Sequence, residues 1–171
     1  MKDYVIASGN EKEFIKMAEQ LGYSELVFIG NIDTSKLKSN IKLSASKRIF
    51  KSDVQKDRAL IESKRVDLIY EFEQAKRNDT VNFPSSGMNQ VIAKLMKQKG
   101  VDYGLSFAQL LYASKEEQAK IIGRMMLNIK LCKKYKVPII VASFARHPYE
   151  MRDHRDLIAF ARTLGLEGYK P

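Results

Sequence analysis

The chain has 171 residues and 19.6 kDa, with 30 Lys plus Arg against 20 Asp plus Glu, giving a formal net charge of +10 and a pI near 9.6. A composition of 44% hydrophobic and 29% charged residues is that of a folded chain, which excludes disorder as the dominant state, and the length suits one domain over residues 1–171. Its apolar runs fall far short of the roughly 20 residues that cross a bilayer, Met1 to Ser8 lacks the apolar stretch of a secretory signal, and the single Cys132 cannot form an intramolecular disulfide, so a cytoplasmic protein without a membrane partner is expected.

Strand-like and helix-like patterns alternate from the first residues. Tyr4–Ala7 reads as a strand, and Glu11–Leu21 as a helix whose Phe14, Ile15, Ala18 and Leu21 share one face, with Gly22 as its stop. Leu26–Ile29 is the next strand. Ile41–Leu43 and Arg48–Phe50 give weaker strand signals within Lys36–Lys51, a stretch holding six basic residues and no acid. Val54–Ser63 is helical, Asp67–Tyr70 a strand, and residues 73–86 a loop by their Asn, Asp, Pro and Ser content.

Ser86 is expected to cap a helix over Gly87–Lys99, with Val91, Ile92, Leu95 and Met96 inward and Gly100 as its end. Tyr103–Phe107 is a strand. Ser114 and Glu117 have the spacing of a capping box for a long helix to Tyr135, with Ile122, Met125, Met126, Ile129 and Cys132 inward. Ile139–Ala142 is the clearest strand. Asp153, with Asp156 three residues on, caps a final helix to Leu164, closed by Gly165. Strands separated by helices imply an α/β fold with a parallel sheet, either a barrel or an open doubly wound sheet.

The chemistry-bearing residues narrow the function. Only His147 and His154 could supply imidazole ligands, and no HExxH, GxGxxG, GxxxxGK[ST] or GxSxG pattern occurs, so zinc, nucleotide-loop and serine-hydrolase sites are not expected. Cys132 reads as a small core residue. The basic excess is uneven: residues 88–171 hold 15 basic against 7 acidic side chains, whereas residues 1–87 hold 15 against 13. Clustered charge of this kind points to a polyanion, although a Lys-rich solvated surface gives the same composition.

The loop after the strand at 139–142 carries Arg146, His147, Tyr149, Arg152, His154 and Arg155, at the carboxyl end where α/β folds bind ligands. Guanidinium groups bind phosphate oxygens, and aromatic faces stack on unpaired bases. Lys130, Lys133, Lys134 and Lys136 collect at the end of the long helix, where the macrodipole also favours cations. A barrel enzyme acting on a small phosphorylated substrate is the competing reading. It would place Arg146, Arg152 and Ser143 around the phosphate, with Asp67, Glu71 or His147 as acid or base. A scaffold whose basic face meets an acidic protein is a third.

Six ordered segments narrow the choice: Gly87–Met96 (GMNQVIAKLM), Gly104–Leu111 (GLSFAQLL), Arg124–Met126 (RMM), Lys134–Val137 (KYKV), Ala142–Ala145 (ASFA) and Arg152–Ile158 (RDHRDLI). Together they resemble ribonuclease P protein component 3, the archaeal counterpart of the thirty-kilodalton subunit of nuclear ribonuclease P. The resemblance implies a TIM-barrel-like fold of six to eight parallel strands, related to the polymerase and histidinol phosphatase superfamily but without its metal-binding histidines. It also implies a non-catalytic subunit of a ribonucleoprotein that removes the 5′ leader of precursor tRNA. The RNA subunit and its Mg2+ ions would perform the hydrolysis, with no cofactor on the protein.

Implied partners are the ribonuclease P RNA, a small RRM-like protein subunit, the other ribonuclease P proteins and, indirectly, precursor tRNA. By position the resemblance marks Arg58, Lys94, Lys99, Lys134, Arg152 and Arg155, with Asp156 beside them, and the loop reading adds Arg146. Two positions depart from the resemblance. Ala108 stands where related chains carry Arg, and His154 where they carry Pro. The sequence ends at Pro171, soon after the last helix, so an incomplete or distorted barrel is expected.

Overall fold

Parallel strands β1 (Lys2–Val5), β2 (Glu25–Ile29) and β3 (Lys42–Ser46) form one sheet in that order, with α1 (Glu11–Gln20) as the crossover between the first two. A second parallel sheet runs β4 (Ile49–Lys51), β5 (Leu68–Tyr70), β6 (Asp102–Ser106) and β7 (Ile139–Ala142). Its crossovers carry α2 (Asp57–Glu62), α3 (Gln90–Lys99) and α4 (Lys115–Tyr135), and α5 (His154–Thr163) packs on β7. This computed structural model describes residues 1–75 and 85–169.

The two sheets are one circuit. Only Lys47 and Arg48 separate β3 from β4, whereas a parallel crossover takes about a dozen residues or more. β3 and β4 are therefore a single broken strand, its first half bonded to β2 and its second to β5. On the other side a parallel bridge pairs Val5 with Ala145, and the Ile6 amide donates to the Ala145 carbonyl at 2.8 Å. The neighbours thus return to β1, giving a TIM-barrel-like α/β fold whose seven strand segments among the described residues, β3 and β4 being halves of one broken strand, all run parallel, distorted at both seams.

The strands fill the barrel interior with Tyr4, Val27, Ile49, Leu68, Tyr70 and Ala142, joined by Phe144 from the chain leaving β7. Phe144 stacks between Tyr70 at 4.6 Å and Tyr4 at 5.8 Å. Gly104 makes room for it, since a Cβ there would meet Leu68, Tyr70 and the Phe144 ring tip at 2.8 Å each. Outside, α1 covers the first sheet with Phe14, Ile15 and Ala18, while α3, α4 and α5 cover the second around Ile92, Met96, Met125, Ile129 and Leu157. Each large apolar side chain among these contributes about 1.5–3 kcal/mol of burial.

Two helices differ from their sequence expectation. α3 starts three residues later than Gly87 because Asn89, not Ser86, is its cap: extended at φ −139°, it accepts the Val91 and Ile92 amides at 2.9 and 3.0 Å. Ser86 accepts the Met88 amide and donates to Asn128 Oδ1 at 2.6 Å. With this later start, Ala93 joins the buried face of α3 and Val91 is exposed.

The capping box of Ser114 and Glu117 forms as expected. The buried stripe of α4, however, is Met125, Asn128, Ile129 and Cys132, with Arg124 beside it. Ile122 and Met126 lie outside, because two polar side chains occupy that face to bond the loop after β5. Of the loop expected at 73–86, residues 72–74 form a 3-10 turn, and 76–84 lie outside the described residues.

Candidate nucleic-acid interface

Buried carboxylates organise the carboxyl ends of the strands. Glu71 follows β5 in a left-handed conformation, φ 61°, with its side chain buried. There it pairs with Lys51 at 2.8 Å and Arg146 at 3.2 Å and accepts the Ser106 hydroxyl at 3.3 Å. Glu73 accepts Tyr103 Oη, Asn128 Nδ2 at 2.6 Å and Gln109 Nε2 at 3.1 Å. Burial raises its pKa against these donors, and it raises Tyr103 as well.

Glu150 accepts the Tyr112 hydroxyl at 2.6 Å and the Arg146 amide at 2.7 Å. At the seam, Asp3 accepts the Ser143 amide at 2.7 Å and its hydroxyl at 2.6 Å. Burial pushes the Asp3 carboxyl up to about 6 and the Cys132 thiol up to about 12.

This arrangement does not assemble the phosphoester enzyme. Ser143 is buried and bonded to Asp3, so its hydroxyl does not face a substrate. Asp67 sits at the opposite end of β5 from Glu71, chelated by Arg48 at 2.7 Å through both oxygens. His147 is exposed and stacked on Tyr149, with ring centres 5.4 Å apart. Among the described residues no three His, Cys, Asp or Glu side chains are grouped to hold a metal ion.

The expected basic residues fall into two groups. Arg58 and Lys94 line one groove between α2 and α3, with Glu62, Val91, Leu95 and Gln98. Arg58 also bonds Glu62 one turn on, at 2.9 Å. Lys94 and Lys134 then flank Tyr135, each ammonium 5.6 Å from the ring centre, and the Tyr135 hydroxyl is tied to Gln90 at 3.1 Å. Lys99 lies in the last turn of α3. Lys94 and Lys134 therefore meet at a fixed aromatic ring, and Lys94 also lines the groove that holds Arg58. The sequence marks the cations, whereas Tyr135 is missed because Lys94 and Gln90, which meet it, lie on a different helix far away in the chain.

The second group is the loop before α5. Arg152 lies over the Phe107 ring at 5.2 Å and donates to the Tyr149 and Met151 carbonyls at 3.0 and 2.8 Å, so much of its guanidinium builds the loop. Arg155 and Asp156 are exposed in the first turn of α5, capped by Asp153, and His154 Nδ1 lies 3.4 Å from Asp153. Ala108, at the position where the resemblance expects Arg, is buried in a 3-10 turn with its amide bonded to the Ser143 carbonyl.

Comparison with known proteins extends these observations. The family model described as RNase P subunit p30 matches residues 52–170. Ribonuclease P protein component 3 of Methanosarcina mazei is 32% identical over 111 residues, which are 65% of this chain and 43% of that protein. The protein of the same description from Thermococcus kodakarensis is 35% identical over 81 residues, 47% of this chain and 37% of that protein. The matched stretch thus spans less than half the length of these relatives. A chain of the cryo-EM structure of archaeal ribonuclease P with mature tRNA superposes at a TM-score of 0.73. The match covers 96% of this chain and 83% of that one at 22% identity, a likeness of fold.

Proposed function

Because the chain belongs to the RNase P subunit p30 family, we propose that it is a protein subunit of a ribonuclease P ribonucleoprotein, binding and supporting the RNA that removes the 5′ leader of precursor tRNA. The observation that carries this reading is the family match itself, whose span of 52–170 holds Arg58, Lys94, Lys99 and Lys134 and every element of the basic helical face. The hydrolysis belongs to the RNA subunit and its Mg2+ ions, and the protein contributes binding and positioning. Its partners are that RNA, a small RRM-like protein subunit and the other proteins of the particle, with precursor tRNA met indirectly.

On the helical face the lysine ammoniums gathered at Tyr135 neutralise phosphates and release condensed counterions. Reconstitution with the cognate RNA and the remaining subunits tests the reading. Adding this chain raises precursor-tRNA cleavage at low Mg2+ if it holds, and unchanged cleavage on omitting the chain refutes it. Lys94→Ala should weaken RNA binding and reduce the slope of log affinity against log salt by about 1.

A further inference from the structure

We propose that Tyr112, Tyr149 and His147, at the carboxyl ends of β6 and β7, form a stacking platform for unpaired RNA, apart from the lysine face of α3 and α4. Among the described residues Tyr149 and Tyr112 are the two most exposed large apolar side chains, at 67% and 64%. A ring left in water gains from any flat partner that covers it. Both rings are held in place. The Tyr112 hydroxyl donates to Glu150 Oε1 at 2.6 Å, and the Tyr149 hydroxyl stands beside it. Glu150 is buried, and its Oε2 accepts the Arg146 amide at 2.7 Å, so one carboxylate ties the segment before α4 to the loop after β7.

Tyr149 lies in the 3-10 turn Pro148–Glu150, and its carbonyl accepts from Arg152 at 3.0 Å. His147 is exposed and stacks on it, the ring planes 2° apart and the centres 5.4 Å apart. That stack covers one face of Tyr149 and leaves the other to solvent, where a base would lengthen it by one ring. Rings fixed before binding lose little conformational freedom when a base arrives.

The surroundings favour a polyanion. Lys120, which is exposed, and Arg146 line the recess that Tyr112 borders. Arg146 meets Glu71 only through Nη2, and its Nε and Nη1 have no partner among the described residues. The two acids of the recess are occupied: Glu73 by Tyr103, Gln109 and Asn128, and Glu117 by the Ser114 amide. Every nucleotide of an unpaired strand offers both a flat face and a phosphate, whereas a duplex hides its base faces and acidic side chains bring charge without a flat face. Lys120 and Lys134 are about 20 Å apart along α4, so the platform and the lysines at Tyr135 are separate contacts that one RNA can span. That this RNA is the ribonuclease P RNA rests on the subunit reading; the platform does not.

Fluorescence anisotropy of the full chain with a short labelled oligouridylate, and with an RNA duplex of equal length, tests the platform. Tyr149→Leu and Tyr112→Leu keep apolar bulk and lose the flat ring. Each should weaken single-strand binding about fivefold or more while leaving duplex binding within about twofold, and Tyr149→Phe should bind like the wild type. Stacking releases no counterions, so the leucine variants should keep the slope of log affinity against log salt, whereas Lys120→Ala should reduce it by about 0.7. Tyr149→Leu removes an exposed ring, so its melting temperature should stay that of the wild type, which separates lost binding from lost folding.

Single-strand affinity unchanged in both leucine variants overturns the proposal. So does an equal loss in Tyr149→Phe, or an equal loss on the duplex. Leucine variants that bind the strand normally but fail to assemble with the other protein subunits show a face that docks protein, and the proposal falls. The oligouridylate assay contains no other ribonuclease P component, so precursor-tRNA cleavage is read separately. Stimulated cleavage with strand binding indifferent to the leucine variants removes the platform and leaves the subunit reading. Strand binding lost in those variants, with no stimulation of cleavage by the wild type, removes the subunit reading alone.

Discussion

Replacing Asp3 by Asn should flatten the dependence of this protein's stability on pH between about pH 4 and pH 7. The carboxyl is fully buried where β1 meets the chain leaving β7, accepting the Ser143 amide and hydroxyl at 2.7 and 2.6 Å. Loss of hydration outweighs these two donors and the Tyr4 amide and moves its pKa from 3.8 to about 6. A group whose folded pKa lies above its unfolded value is held more tightly as the acid by the native state. Its stabilising contribution is complete below about pH 4 and is lost as pH rises through about 6.

Two pKa units at 1.36 kcal/mol each correspond to about 3 kcal/mol in full, of which roughly 2.4 kcal/mol disappears between pH 4 and pH 7. The carboxamide of the Asp3→Asn variant keeps an oxygen for the Ser143 amide and an N–H toward the Ser143 oxygen, as the protonated acid does, but does not titrate. Denaturation of both proteins at a series of pH values gives the difference, wild type minus Asp3→Asn. It should fall by about 2–3 kcal/mol across this range, a relative melting shift of roughly 5–10 °C for a domain of this size. Other titrating groups cancel in that difference. Parallel stability curves for the two proteins would show that Asp3 is not held as the acid.

The remaining expectations concern packing, capping and the basic face. Gly104→Ala places a Cβ at 2.8 Å from three neighbours and should destabilise by about 1–3 kcal/mol, seen as a lower urea midpoint with an unchanged slope. Asn89→Ala removes the acceptor of two helix amides and should cost about 0.5–2 kcal/mol, checked by thermal denaturation. Lys94→Ala and Lys134→Ala should leave the melting temperature within about 2 °C while weakening RNA binding in filter assays. Arg152→Ala should behave differently: losing two carbonyl bonds and the Phe107 contact, it should lower stability as well, measurable by the same melt.

How far these features are legible in the sequence depends on whether their cause is local. β7 appears at its expected bounds because Ile139–Ala142 is apolar and β-branched, and the box at Ser114 and Glu117 because capping is decided within four residues. The cap of α3 is equally local, but Ser86 and Asn89 compete for it, and the distant Asn128 takes the Ser86 hydroxyl. The rotated face of α4 is legible only with the third dimension. Arg124 and Asn128 are drawn inward by the carbonyl and carboxylate of Glu73, far upstream, and a pattern of apolar spacing alone reads Ile122 and Met126 as buried. The merging of β3 and β4 is visible in hindsight in the two residues between them, too few for any parallel crossover.

The same nonlocality divides the positive charge by task. Lys51, Arg124, Arg146 and Arg152 gather at the carboxyl ends of the strands, where Glu71 and backbone carbonyls engage their nitrogens. Lys51 and Arg146 hold a loop whose buried carboxylate would otherwise stand unpaired, at a cost of several kcal/mol. Lys94, Lys97, Lys99, Lys130, Lys134 and Lys136 make no ion pair among the described residues. A charge already paired to a buried carboxylate releases fewer counterions to an incoming phosphate, so the salt dependence of RNA binding should be set more by the lysines of α3 and α4 than by Lys51 and Arg146.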